Sequence, residues 1–76
     1  MNTINLSDLK IGEAGVVEDF SDVELSLKLM EMGCIPGEKI QLHKYAPMGD
    51  PMMIEVSGYF LTMRKQEAQT IRVSLL

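Results

Sequence analysis

The residues that decide the fold are Glu31-Met32-Gly33-Cys34-Ile35-Pro36-Gly37 and, further along the chain, Ala46-Pro47-Met48-Gly49-Asp50-Pro51. The first segment is typical of a helix that ends at Gly33, because glycine readily adopts the left-handed backbone that follows a helix C-cap. Pro36 then prevents the helix from resuming. The second segment is rich in residues that form tight turns, so it predicts a short connection between two strands.

The residues of both turns are predicted to be structural. Glycine is needed where the backbone requires a positive φ, and proline fixes φ on either side of a tight connection. We assign this role to six residues: Gly33, Pro36, Gly37, Gly49, Asp50 and Pro51. Asp50 is accordingly predicted to be a turn former and not a metal ligand.

A helix is predicted to fill the residues before the first turn. Ser21-Asp22-Val23-Glu24 has the S-x-x-E form of a capping box, in which Ser21 accepts a hydrogen bond from the backbone N–H of Glu24 and the Glu24 side chain reaches back. We therefore expect the helix to begin at Ser21. At its other end we expect Cys34 to pack back against Leu29.

The apolar side chains of this helix cover more than half of its circumference, which is wider than one face of a small domain needs. They form two sets on opposite sides: Val23, Leu27 and Met30, and Leu25, Leu29 and Met32. Either the helix is buried in a groove, or one set contacts another subunit or a partner. We predict that the first set faces the core and that the second set is available for contact.

Beyond the first turn the apolar residues recur at every second position, which is typical of strands. Met52 and Met63 fall on the inward side of this alternation and are predicted to be core residues. His43, Tyr45 and Met53 fall on the outward side.

The patterns predict about five short strands in all. One strand is expected near residues 14–18 and the last at 71–75, after a helical turn within 65–70. A sheet of this size must close on itself to bury one face and to protect its edges. We therefore predict a mainly β fold, a small SH3-like barrel with one inserted α-helix, which occupies residues 1–76 as a single domain.

Composition excludes several classes of function. The 76 residues carry a net charge of −4, whereas a chain that binds phosphate backbones is normally basic, so no nucleic-acid partner is predicted. No segment approaches the roughly 18 apolar residues of a membrane span, and no signal-peptide pattern is present. The one cysteine cannot form an internal disulfide, which fits a reducing compartment. We predict a cytoplasmic protein that does not insert into the membrane.

No residues have the spacing of a catalytic or metal site. His43 is assigned to the outward side of a strand and Cys34 to the helix end, so they are not expected to form a nucleophilic pair. Neither C-x-x-C nor H-x-x-H spacing occurs. We predict no enzymatic activity and no firm cofactor. His43 and Cys34 remain weak candidate ligands for Fe(II) or another divalent metal, at a site that a partner would complete.

Three segments resemble the FeoA proteins. They are residues 27–37 with Met32-Gly33-x-x-Pro36-Gly37, then Ala46-Pro47-x-Gly49-Asp50-Pro51, then Leu61-x-Met63-Arg64 followed by Glu67-Ala68. The resemblance implies a small cytosolic SH3-like protein of bacterial ferrous iron uptake. It also implies docking on the cytosolic GTPase region of the FeoB permease, with modulation of transport or of GTP hydrolysis.

The same domain occurs at the C-terminus of metal-dependent transcription repressors. The resemblance therefore also implies an alternative function, a metal-responsive sensor that binds a transition metal itself. The chain departs from the family at Lys28, where arginine is commoner, and at Cys34, where a plain hydrophobic residue is usual.

The predicted partner surface combines part of the helix with outward-facing residues of the strands and their connection. Flexible methionine side chains suit an adaptable contact surface. The residues assigned to it are Leu25, Lys28, Leu29, Met48, Met53 and Phe60. Self-association of the chain is the other use that we consider for an exposed apolar face.

Overall fold

The structure is a computed structural model, and it describes residues 3–76. Within these residues six strands, one α-helix and two shorter helical turns follow one another. The elements are β1 (Thr3–Asn5), a 3-10 turn (Leu6–Asp8), β2 (Ala14–Phe20), α1 (Val23–Glu31), β3 (Lys39–Tyr45), β4 (Met52–Val56), β5 (Tyr59–Met63), α2 (Lys65–Ala68) and β6 (Ile71–Leu75).

The six strands form one antiparallel sheet in the order β1-β6-β2-β3-β4-β5. The mainly β prediction is confirmed, with one strand more than expected. The additional strand is β1, which pairs with β6 and is only three residues long, too short to show an alternating pattern. Within residues 3–76 no strand ladder joins the two edge strands, β1 and β5.

A single cluster of buried apolar side chains forms the core, with contributions from β2 through β6, both helices and the 3-10 turn. Met52 and Met63 are buried in it, as predicted. The central strands β3 and β4 supply Ile40, Leu42 and Ile54, which are completely inaccessible to solvent. The sheet and the helix therefore share one core.

The N-cap of α1 is Asp22, so the predicted start at Ser21 is wrong by one residue. The Asp22 carboxylate accepts a hydrogen bond from the backbone N–H of Leu25 at 3.0 Å. The backbone N–H of Ser21 instead donates to the carbonyl oxygen of Thr70 at 2.8 Å. Ser21 is thus held by the residue before β6, and the helix begins after Ser21.

The C-terminal end of α1 forms a Schellman turn. The backbone N–H of Cys34 donates to the Leu29 carbonyl oxygen at 3.0 Å, and that of Gly33 donates to the Met30 carbonyl oxygen at 3.0 Å. Gly33 has a φ of +108°. A Cβ atom there would lie 3.8 Å from the nearest atom, a Val56 methyl, so it is the backbone conformation and not a lack of space that requires glycine.

The side of α1 that faces the core is the opposite of the one predicted. Leu29 is completely buried, and Leu25 and Met32 pack against the core. Val23 and Leu27 are exposed instead, so their assignment to the core is wrong. The reason is that Leu29 and the buried Cys34 belong to the same core cluster as side chains of the distant strands, and these contacts place the Leu29 side of the helix inward.

A β-bulge in β3 changes the predicted alternation. The register with β4 shifts between Leu42 and Lys44, so His43 and Lys44 are both exposed. Tyr45 consequently turns inward, and its hydroxyl donates to the Leu9 carbonyl oxygen at 2.9 Å. The predicted outward position of Tyr45 is therefore wrong.

Candidate functional site

The six residues predicted to contact a partner lie in four different parts of the fold: α1, the β3–β4 connection, β4 and β5. Leu29 is completely buried and cannot touch a partner in this structure, so its inclusion is wrong. Leu25 and Met53 are partly buried, on α1 and β4. Met48, at the tip of the β3–β4 connection, is 93% exposed, and Phe60 is exposed on β5.

The largest correction concerns α1, whose solvent side carries its own apolar residues. Val23 is 80% exposed and Leu27 is 63% exposed. They are four residues apart and therefore neighbours on the helix surface, with the partly buried Met30 following at three residues. We call Val23, Leu27 and Met30 the α1 face. The sequence pattern contained this set but gave it the wrong orientation.

The charges around the α1 face are mainly acidic. Asp22 and Glu24 are exposed at the start of the helix and Glu31 at its end. The one cation of α1, Lys28, is directed at α2, where its Nζ lies 3.0 Å from the Glu67 carboxylate. The exposed apolar residues therefore have an acidic rim.

Glu67 holds together the start of α2 and the side of α1. Its Oε1 accepts the backbone N–H of Arg64 at 2.9 Å, and its Oε2 accepts the Lys28 ammonium. The Arg64 backbone hydrogen bond, followed by the one from Lys28, lowers the pKa of the Glu67 carboxyl from its ordinary value. Lys28 is thus a structural link in this chain as well as an exposed residue.

A second apolar surface lies between the end of α1 and the edge strand β5. Tyr59 is 72% exposed and Phe60 is 60% exposed, and Ile35 is exposed beside them. Met32 and Leu61 form the floor of the shallow groove between these side chains. We call this surface the β5 groove.

The two weak metal-ligand candidates are not brought together. His43 is exposed on β3, and its Nε2 lies 2.8 Å from the Glu55 carboxylate. Its ring packs edge-to-face against the Phe60 ring, with 4.8 Å between the two ring centroids. Cys34 is completely buried in the core, and burial raises the pKa of its thiol to about 11. Within residues 3–76 no three His, Cys, Asp or Glu side chains converge in an arrangement that could hold a metal ion.

The helices found in the described residues are all too short or too polar to cross a membrane.

The model of the FeoA domain family matches residues 4–75 of this chain. The chain belongs to the FeoA family. This family takes part in ferrous iron transport, and the recognition made from the turn segments is confirmed. A FeoA-like protein from Clostridium acetobutylicum, solved by NMR, is 34% identical and superposes with a TM-score of 0.92, over 100% of this chain and 90% of that one.

A second solved structure fixes the fold class. The FeoA of Stenotrophomonas maltophilia, crystallised with zinc and described as an SH3 domain protein, is 26% identical with a TM-score of 0.81. The superposition covers 93% of this chain and 89% of that one. The SH3-like prediction is therefore confirmed.

A curated relative carries the FeoA part together with a transporter. In Porphyromonas gingivalis an Fe(2+) transport protein A/Fe(2+) transporter FeoB fusion protein is 28% identical over 74 residues. The match covers 96% of this chain, which spans only 9% of the length of that relative.

Proposed function

We propose that this FeoA-family protein is a cytosolic accessory protein that docks on the GTPase region of an FeoB-type iron permease and modulates its transport. The observation that carries this proposal is the α1 face. Val23 and Leu27 expose large apolar side chains on one side of a helix whose other side packs against the core. An unpartnered apolar helix face of this kind marks an interaction site more often than a scattered surface leucine does.

The identity of the partner is supported by the fusion relative. In the Porphyromonas gingivalis protein an FeoA part and an FeoB part belong to one chain. A covalent link holds two modules at a high effective concentration, which is useful only when the modules act together. For a separate chain, the docking surface must supply the affinity that the link supplies there.

The geometry of α1 favours docking of the helix into a groove of the partner. Val23 and Leu27 have the i, i+4 spacing of anchor residues in helix-in-groove complexes. The acidic rim formed by Asp22, Glu24 and Glu31 would be matched by a groove with basic edges. Met48 is a further candidate contact, because a flexible thioether at a hairpin tip can adapt to a partner.

The proposal assigns no chemistry to the chain itself. Iron is the cargo of the permease, and this protein acts on the permease through contact. The apolar α1 face carries no titratable group that could act as a nucleophile or as a general base. We therefore propose a non-enzymatic role.

A binding assay with a matched control tests the proposal. Leu27→Asp should retain its circular dichroism spectrum and should weaken calorimetric binding to the isolated FeoB GTPase region at least roughly tenfold, as expected for a central apolar contact. Ile11→Asp is the control, because Ile11 is also 63% exposed but precedes β2 in the chain and is not part of the α1 face. Binding that is unchanged by Leu27→Asp, or weakened equally by Ile11→Asp, would contradict docking through the α1 face.

A further inference from the structure

We infer that two copies of this chain pair through their β5 strands, antiparallel and across a two-fold axis perpendicular to the sheet, so that the two sheets become continuous. The contact uses the β5 groove and leaves the α1 face free. It is independent of the proposed docking on the permease, and the two can fail separately.

The two edges of the sheet differ in how they are protected. β1 is three residues long, and two of the three, Thr3 and Asn5, are polar. β5 is five residues long, contains no charged residue and no proline, and pairs with β4 in a regular register without a bulge. Natural edge strands usually carry a charge, a proline or a bulge that prevents pairing with another chain. β5 has none of these features.

Side chains along β5 add apolar area to the exposed backbone edge. Tyr59 and Phe60 are exposed, and Leu61 is partly buried between them and the end of α1. Within residues 3–76 no strand lies on the outer side of β5. Strand addition at such an edge gains backbone hydrogen bonds from the edge and specificity from the alternating side chains.

The charges at the two ends of β5 favour a second copy in antiparallel orientation. At the start of the strand, Glu31 lines the β5 groove, and Glu38 and Glu55 line the neighbouring depression together with one cation, Lys39. Directly after the end of the strand come two cations, Arg64 and Lys65. The Lys65 ammonium lies over the Tyr45 ring, and the carboxylates of Asp50 and Glu67 bind the backbone at this end, so the exposed Arg64 is the cation available to a second copy. Antiparallel pairing places Arg64 of each copy beside the acidic end of the other, whereas parallel pairing would place the two acidic ends together.

The register follows from the length of the strand. Overlap of two five-residue strands is greatest when Leu61 lies opposite Leu61 of the second copy. Phe60 then faces Thr62 of the second copy on the outer side of the sheet. A pair of an aromatic with a β-branched side chain is favourable across strands.

Sedimentation equilibrium over a concentration series tests this inference with three double variants. The parent chain should show a monomer–dimer equilibrium. Phe60→Lys with Thr62→Lys should be monomeric, because each lysine then faces a lysine of the second copy. Phe60→Lys with Thr62→Glu should dimerise again, because unlike charges then face each other in the stated register. Within one chain, Phe60→Lys places its lysine opposite Glu55 of β4, and this pair of unlike charges does not destabilise the folded chain.

The matched control is Val23→Lys with Leu27→Lys, which replaces two exposed apolar residues on α1. It should leave the dimerisation constant unchanged. The inference is overturned if the parent is monomeric at every concentration, or if the double lysine variant of β5 dimerises like the parent. It is also overturned if the lysine–glutamate variant of β5 stays monomeric, or if the double lysine substitution on α1 abolishes dimerisation. Circular dichroism verifies that each variant is folded.

Discussion

The backbone N–H of Lys65 donates a hydrogen bond of 3.0 Å to the Oδ1 of Asp50. This contact joins the β3–β4 connection to the first residue of α2. Asp50 therefore has two structural roles: it is part of the turn, and its side chain binds the start of a helix. A carboxylate at that position also interacts favourably with the positive end of the helix. The Gly-Asp-Pro segment therefore fixes where α2 begins relative to the sheet.

Asp50→Ala should lower the free energy of unfolding by about 1 kcal/mol, because the Lys65 N–H loses its acceptor. Asp50→Asn should lower it by less, since the amide oxygen can still accept. Urea unfolding of both variants measures the difference. If the two variants are equally destabilised, the hydrogen bond to Lys65 is not what Asp50 contributes.

The end of α1 gives a second prediction. Gly33→Val should destabilise the fold by more than about 1 kcal/mol, because a β-branched residue is penalised at positive φ. Gly33→Asn should be milder, because asparagine tolerates the left-handed region better than valine does. Thermal melts of the two variants compare them. Equal melting temperatures for the parent and Gly33→Val would refute the role given to Gly33.

The opposite burial of the two sides of α1 gives a third prediction. Leu29→Ala should cost about 2–5 kcal/mol of stability, because it leaves a cavity at a completely buried site. Leu27→Ala should change stability by less than about 1 kcal/mol, because an exposed leucine is replaced by a residue with good helix propensity. Urea unfolding measures both. Comparable losses would show that both sides of the helix are buried.

The same helix shows which features could be predicted from sequence. Its end at Gly33 is a local property, because the glycine and the following proline decide it within a few residues. Its orientation is not local, because both sides carry three apolar residues and the periodicity is equal for the two. Contacts of Leu29 and Cys34 with distant strands decide which side is buried, and periodicity carries no information about them.

Other differences between the predictions from sequence and the structure also arise from contacts between distant parts of the chain. Ser21 and Asp22 are both good N-caps, and a hydrogen bond from Ser21 to Thr70 in the distant part of the chain selects Asp22. The bulge at His43 is set by pairing with β4, and one added residue reverses the direction of Tyr45. For the candidate site, the sequence identified Met48 and Phe60 as outward, but the exposure of the α1 face required the structure.

The hydrogen bond from the Arg64 backbone N–H and the ion pair with Lys28, which both act on the Glu67 carboxylate, give a pH-dependent prediction. The folded state holds the Glu67 pKa below its ordinary value of 4.5, so the carboxylate contributes stability above that value and loses it as the pH falls through the folded pKa. The parent should therefore be more stable than Glu67→Gln at about pH 7, and the difference should shrink at about pH 3. Urea unfolding at both values measures it. A difference that does not change with pH would show that ionisation of Glu67 does not matter.

The last prediction separates docking from metal sensing. His43 and Glu55 supply two side-chain ligands at most, and Cys34, with its pKa raised to about 11 by burial, stays a protonated thiol inside the core. Stable transition-metal sites usually draw three or four ligands from the protein. An anaerobic titration of the isolated chain with Fe(II) should therefore show no submicromolar binding.

His43→Ala should leave both the titration and the thermal melt nearly unchanged, because the histidine is exposed and outside the core. Glu55→Gln is the control for the second ligand, and it should behave in the same way. Tight stoichiometric binding that disappears in His43→Ala would instead favour the sensor function, with the His43–Glu55 pair as its nucleus.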